Sequence, residues 1–139
     1  GTLFHEIVAQ CSYPYQQEEI LSYANSYGYA LKDYDIKQIL ALNSNALYAS
    51  WMNEKHVFEQ SYIIKEKKQV VHGFMDLVIY KEDEIIIIDF KTDATDNENK
   101  LIDMYAAQLQ TYKHSMERTT DLPIKTYIYA FSLFKCILL

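Results

Sequence analysis

Two aspartates and a lysine sit at the ends of apolar runs. Asp76 closes Gly73-Phe74-Met75-Asp76, and Asp89 and Lys91 close Ile85-Ile86-Ile87-Ile88-Asp89-Phe90-Lys91. Side chains at i and i+2 of a strand share a face, so Asp89 and Lys91 project together while Phe90 turns into packing. With Asp76 at the end of a neighbouring strand, three charges converge on one edge of a buried sheet. Buried charge is costly unless it is paired or binds a metal, which points to a functional group here. Hard Mg²⁺ or Mn²⁺ takes carboxylate, carbonyl and water oxygens, so Asp76 and Asp89 are the first candidate ligands and the Phe90 backbone carbonyl a further one. Such a site suits phosphodiester hydrolysis, in which divalent metals activate water and stabilise charge. Lys91 would orient or help deprotonate the attacking water and offset charge on the phosphate. The same residues also admit a strand-end cap, a surface ion pair, and a lysine reaching to water along its own stem.

The elements that must hold these groups follow from periodicity. Leu3/Phe4 with Ile7/Val8 predicts a helix over roughly residues 2 to 11. Beyond Pro14, a second helix over Gln16 to Tyr27 carries Ile20, Leu21, Ala24 and Tyr27 on one face and closes at Gly28. A third runs from Asp35, as cap, towards Trp51, interrupted around Asn43-Ser44-Asn45. From His56 the period becomes that of strands: Val57 to Ile64, then Val70 to Tyr80 and Ile85 to Lys91, joined by charged turns. The polar stretch Asp93 to Asn99 reads as a loop free to move. A helix over about Lys100 to Arg118 carries Leu101, Tyr105, Gln108 and Tyr112, and a last strand runs Ile124 to Leu133.

At 139 residues and 50% hydrophobic, the chain is expected to form one domain over 1-139 with its own core. Three glycines and two prolines argue against a flexible tail or repeat array. No run reaches the ~20 apolar residues of a membrane helix, and no signal peptide is evident. Two cysteines, Cys11 and Cys136, are too few for a disulfide framework or a four-cysteine iron–sulfur cluster. No Gly-x-x-x-x-Gly-Lys-Ser/Thr loop is present, so nothing here hydrolyses ATP. The net charge of -6 is unfavourable for capturing a polyanion, whose affinity comes mostly from Lys and Arg. Bound cations or a larger assembly would have to compensate. The chain starts at Gly1 without an initiator Met and ends on apolar Cys136-Ile137-Leu138-Leu139, which reads as an excised piece.

The order α, (αα), β, β, β, α, β, with acids on the second and third strands, resembles the core of the PD-(D/E)xK nuclease superfamily. His5, Gly73-x-x-Asp76, Asp89-Phe90-Lys91-Thr92-Asp93 and Tyr105-x-x-Gln108-Leu109-x-x-x-Tyr112 together resemble the RecB-type nuclease domain, most nearly the C-terminal nuclease domain of AddA/RecB-type helicase-nucleases. The resemblance implies an α/β, restriction-endonuclease-like αβββαβ core, a mixed sheet flanked by helices, with residues 12-56 as a helical insertion. It implies Mg²⁺- or Mn²⁺-dependent exonuclease activity on DNA, as single-stranded ends, in double-strand-break repair and recombination. It further implies a helicase in the same polypeptide, a second helicase-nuclease subunit, and a cytoplasmic, nucleoid-associated setting in bacteria. His5 would be a metal ligand beside Asp76 and Asp89; a lone helical His is otherwise packing or surface. Gln108, in a stripe with Leu101, Tyr105 and Tyr112, would need a polar partner, such as the nucleophilic water or a phosphate oxygen. Tyr112 and Tyr105 are open to backbone contact or to core packing. Glu59 is a possible accessory acid, although an outward-facing strand glutamate is the default. Lys65, Lys67 and Lys68 read as a solvated turn. His56, His72 and His114 have no spacing that suggests a second metal site. The same features fit a stand-alone or phage RecB-like exonuclease, or a catalytically inactive DNA-threading or interaction module.

Overall fold

In the computed structural model, residues 2–139 are described; Gly1 lies outside them. The sheet is organised by the isoleucine run. Strand β3 (Ile85–Lys91) is buried on both faces from Ile85 to Phe90, as expected of a central strand with a helical layer on each side. Ile86, Ile88 and Phe90 face one layer and Ile85 and Ile87 the other. Five strands lie in sequence order, with β1 (Lys55–Glu66), β2 (Gln69–Tyr80) and β3 antiparallel, β4 (Ile124–Ala130) parallel to β3, and β5 (Lys135–Leu138) antiparallel to β4. The parallel step requires a crossover, which helix α5 (Glu98–Glu117) supplies, packing Leu101, Leu109, Tyr112 and Met116 on one face of the sheet. The opposite face is covered by α1 (Thr2–Gln10), through Phe4, Ile7 and Val8, and by α2 (Gln17–Ser26), α3 (Asp33–Leu40) and α4 (Ala46–Met52).

Several expectations are corrected. Helix α3 begins two residues before Asp35, whose carboxylate accepts the Lys32 backbone N–H. The interruption at Asn43 to Asn45 is a 3₁₀ turn, after which the Asn45 side chain caps α4 by accepting from Tyr48 N–H. Tyr27, placed by its spacing on the inner face, is 63% exposed. The run Ile124 to Leu133 is not one strand: β4 stops at Ala130, a 3₁₀ turn follows, and left-handed Phe134 (φ 52°) sends the chain back as β5. The apolar end is thereby an edge strand with Ile137 buried. The 93–99 stretch is tethered, since Ser132 Oγ donates to the Thr95 carbonyl and the Asn97 side chain caps α5.

Asp76 does not end its strand. Strands β2 and β3 stay paired from Tyr80↔Ile85 to Leu77↔Ile88, and one step further Asp76 and Asp89 face each other where the strands part. Beyond that point β2 continues to Gln69 paired only with β1, forming a two-stranded arm. The arm twists at its root, where Glu59 (φ 54°) leaves the β1–β2 ladder opposite Asp76.

Candidate active site

The divergence of β2 from β3 frees backbone groups that side chains then satisfy. Phe90 N–H donates to Asp76 Oδ2 at 2.8 Å, and the Phe90 carbonyl lies 2.9 Å from His5 Nε2 on α1. The same nitrogen is 3.7 Å from Asp76 Oδ2. His5, Asp76 and the Phe90 carbonyl, predicted from residues far apart in the chain, therefore meet. Burial lowers the His5 pKa, opposed by the Phe90 carbonyl and the Asp89 carboxylate, so its imidazole is held towards the neutral form a metal requires.

Asp89 is 2% exposed. Its carboxyl is pushed up to about 7, first by desolvation and then by the Asp76 carboxyl, against the opposing pull of Lys91. The Lys91 ammonium approaches Asp89 Oδ2 to 2.9 Å, yet that oxygen has no hydrogen bond of acceptable geometry. We read the contact as an ion pair that leaves a buried oxygen short of a directional partner, the kind of deficit a cation or proton removes. Lys91 also donates to Gln108 Oε1 at 3.1 Å and lies 4.0 Å from the centre of the Tyr105 ring. Gln108 Nε2 donates to Tyr112 O–H at 2.9 Å. A relay of side chains thus runs from Asp89 through Lys91 and Gln108 to Tyr112.

The burial expected for Gln108 is not found. Its neighbours Leu109 and Tyr112 are buried while Gln108 lies on the exposed margin of α5; its amide is satisfied by Lys91 and Tyr112. Tyr105 turns its hydroxyl to Asp93 Oδ2 at 2.8 Å, which fixes the residue that follows the Asp-x-Lys-Thr stretch. Glu59 is exposed at the root of the arm. Asp93, quoted in the sequence motif without a role, is given one by its bond to Tyr105. One contributor went unnoticed in the sequence: Tyr62, whose ring packs edge-on against Tyr112 at 5.4 Å between centroids. Tyr62 is paired with Gly73, where an added Cβ would come within 2.6 Å of its Cε1. An isolated glycine inside a strand is the one available signal for so close an approach.

Among the described residues, no three His, Cys, Asp or Glu side chains stand together as a metal cage by themselves. The donor set suits a hard divalent ion only when the Phe90 carbonyl is counted with His5, Asp76 and Asp89. Ligands about 2.1 Å from one octahedral ion lie roughly 3 Å apart, which the 2.9 Å from His5 Nε2 to the Phe90 carbonyl matches and the 3.7 Å to Asp76 Oδ2 exceeds. With the unsatisfied Asp89 oxygen, these residues fit such an ion.

A five-stranded mixed sheet between helices, with two acids and a lysine where its central strands part, is a restriction-endonuclease-like fold. Residues 1–135 match the PD-(D/E)XK nuclease superfamily, and the chain belongs to it. Among curated proteins it is similar to one subunit of the ATP-dependent helicase/nuclease of Syntrophomonas wolfei, with 28% identity over 107 residues, 69% of this chain and 9% of that protein. The corresponding protein of Ligilactobacillus salivarius is 39% identical over 75 residues, 53% of this chain and 6% of its own length. That of Clostridium acetobutylicum is 33% identical over 72 residues, 50% and 6% respectively. The chain thus spans less than a tenth of the length of these relatives.

Proposed function

We propose that the chain is a Mg²⁺- or Mn²⁺-dependent deoxyribonuclease domain, a single domain over 1-139 with residues 12-56 as a helical insertion. In this reading it hydrolyses single-stranded DNA ends in double-strand-break repair and recombination, in the bacterial cytoplasm. The helicase would lie in the same polypeptide, and its partner would be a second helicase-nuclease subunit. The observation that carries the reading is the meeting of His5 Nε2, Asp76, Asp89 and the Phe90 carbonyl at one sheet edge, with Lys91 directed at the same carboxylate, in a member of a nuclease superfamily.

His5, Asp76, Asp89 and the Phe90 carbonyl would hold the ion. When bound, it supplies Lewis acidity for activating water and stabilising the charge that develops on phosphorus oxygens. Lys91, 2.9 Å from Asp89 Oδ2 at the same edge, would present a compact positive charge to the scissile phosphate and the attacking water. Gln108 keeps Lys91 aligned through its Oε1, the end that a donor-only ammonium selects, and Tyr112 holds the amide from the other side by accepting from Nε2. Tyr105 limits Lys91 from the other side and anchors Asp93. Glu59, exposed where β1 leaves the ladder opposite Asp76, would be an accessory acid.

The test is cleavage of a labelled single-stranded oligonucleotide after removal of metal and re-addition of Mg²⁺ or Mn²⁺. Metal-dependent cleavage by the wild type, lost in Asp89→Ala and Lys91→Ala, is expected. Cleavage that survives either substitution would overturn the assignment, and binding of Mn²⁺ without any cleavage would favour a non-catalytic DNA-threading module.

A further inference from the structure

Arg118 is the only arginine in the chain. It stands at the C-terminal cap of α5, exposed, where three adjoining depressions meet. One, of about 720 Å³, is walled by Lys65, Lys67 and Lys68 at the tip of the β1–β2 arm, with Glu66 and Gln69. A second, of about 500 Å³, runs from Arg118 between α5 and the arm to Tyr62 and Met75. The third is a small notch that brings His114 and Thr111 to the same rim. Sequence alone gives three lysines in a charged turn; the fold adds an arginine some fifty residues away and makes the turn one wall of a groove.

Among the described residues Lys65, Lys67, Lys68 and Arg118 take part in no ion pair; Lys32, Lys37, Lys55, Lys100 and Lys113 take part in none either, but only these four gather on one groove. The groove carries one opposing carboxylate, Glu66, and the Glu117 carboxylate nearby is turned to His114. Four unpaired cations against one acid are a strong local excess in a chain of net charge -6. The groove also borders the proposed site. Met75 precedes Asp76, and Tyr62 packs on Tyr112, whose hydroxyl receives the Gln108 amide. From Gln108 to Arg118 is ten residues of one helix, about 15 Å along its axis, the span of several nucleotides of a strand rising ~3.4 Å each when stacked.

We propose that this groove between the α5 C-terminus and the β1–β2 arm is a second binding surface, which takes the sugar-phosphate backbone of a single strand whose scissile bond lies at Asp76 and Asp89. It deepens the nuclease reading and rests on it for the identity of the polyanion. The four cations neutralise phosphates remote from the reaction, and Tyr62 with the arm floors the path between. Nucleic acid is favoured over an acidic protein segment because the groove lies beside the proposed phosphodiester-hydrolysing site.

The test uses the whole chain and a fluorescent 20-nucleotide single strand in EDTA, with anisotropy read across a salt series. The variant K65Q/K67Q/K68Q/R118Q changes only exposed side chains, and its melting curve checks that it folds. Each neutralised phosphate contributes about -0.7 to the slope of log K against log salt for single strands. The variant should therefore lose a slope of roughly 2 to 3 and bind at least about tenfold more weakly at 0.1 M salt, while its Mn²⁺-dependent cleavage of a trinucleotide stays at the wild-type rate. Unchanged slope and affinity would overturn the proposal, as would loss of poly-glutamate binding without loss of DNA binding. The two readings fail separately. Groove-dependent DNA binding without cleavage of any substrate would sink the nuclease and leave the groove, and wild-type-like binding by a variant of a cleaving enzyme would do the reverse.

Discussion

Asp89 holds a proton more tightly in the native chain than an ordinary carboxyl does, and this has a measurable consequence for the metal-free protein. The group is raised from 3.8 to about 7 by burial and by Asp76. In the interval between those values the folded state keeps the proton and the unfolded state loses it. The folded state therefore binds more protons, and stability falls as pH rises. The contribution is full below about pH 4 and has been lost above about pH 7. At about 1.4 kcal/mol per pH unit, with the slope falling off as the group half-titrates at the upper end, the part between pH 5 and pH 7 amounts to roughly 2 kcal/mol. For 139 residues, an unfolding entropy of ~2.1 cal/mol/K per residue turns that into a Tm decrease on the order of 10 °C. Asp89→Asn removes this titration. Thermal melts in EDTA at pH 5, 6, 7 and 8 should show wild type losing stability relative to the variant, the variant being the flatter of the two. Parallel profiles would refute the premise that this carboxyl is buried and proton-holding.

Proton and metal compete for the same carboxylate. Because a metal must displace the Asp89 proton, Mn²⁺ affinity measured by calorimetry should weaken about tenfold per unit as pH drops below 7; a flat profile would argue that Asp89 is not a ligand. Lys91→Ala should cost cleavage ~10²–10³-fold while Mn²⁺ affinity holds or rises, since the carboxylate it contacts at 2.9 Å is freed; parallel loss of both would make Lys91 structural. Tyr112→Phe removes one hydrogen bond and should cost about 1 kcal/mol of stability or less, with a larger proportional fall in kcat because the Gln108 amide loses its anchor. Gly73→Ala should destabilise the fold by ~1–3 kcal/mol through overpacking against Tyr62. The penalty should shrink in a Tyr62→Ala background, and a double-mutant cycle in denaturant reads the coupling.

What the sequence reveals is whatever local period controls. The isoleucine run defines β3 at both ends, and the i, i+2 rule puts Asp89 and Lys91 on one side, where their polar atoms lie 2.9 Å apart. Register is a tertiary property. The apolar pattern puts Asp76 at a strand end, but it faces Asp89 because β2 leaves β3 there and runs on as an arm. The reversal into β5 carries no glycine, proline or asparagine signal, since Phe134 itself takes the left-handed conformation, so two strands read as one. Gln108 has the spacing of a buried stripe but sits at its margin. Helical period alone does not separate the edge of a face from its centre. The cationic groove was invisible because its arginine and its lysines come from different elements.

His5, Asp76, Asp89 and the Phe90 carbonyl are proposed to form a metal site that cuts DNA. The most direct test is cleavage of single-stranded DNA by metal-stripped protein titrated with Mn²⁺, run beside Asp89→Asn, a near-isosteric change that retains the fold. Cleavage that rises with Mn²⁺ in the wild type and is absent from Asp89→Asn is the expected result. Equal cleavage by the two proteins, or cleavage that persists in EDTA, would rule out this site as the source of the activity.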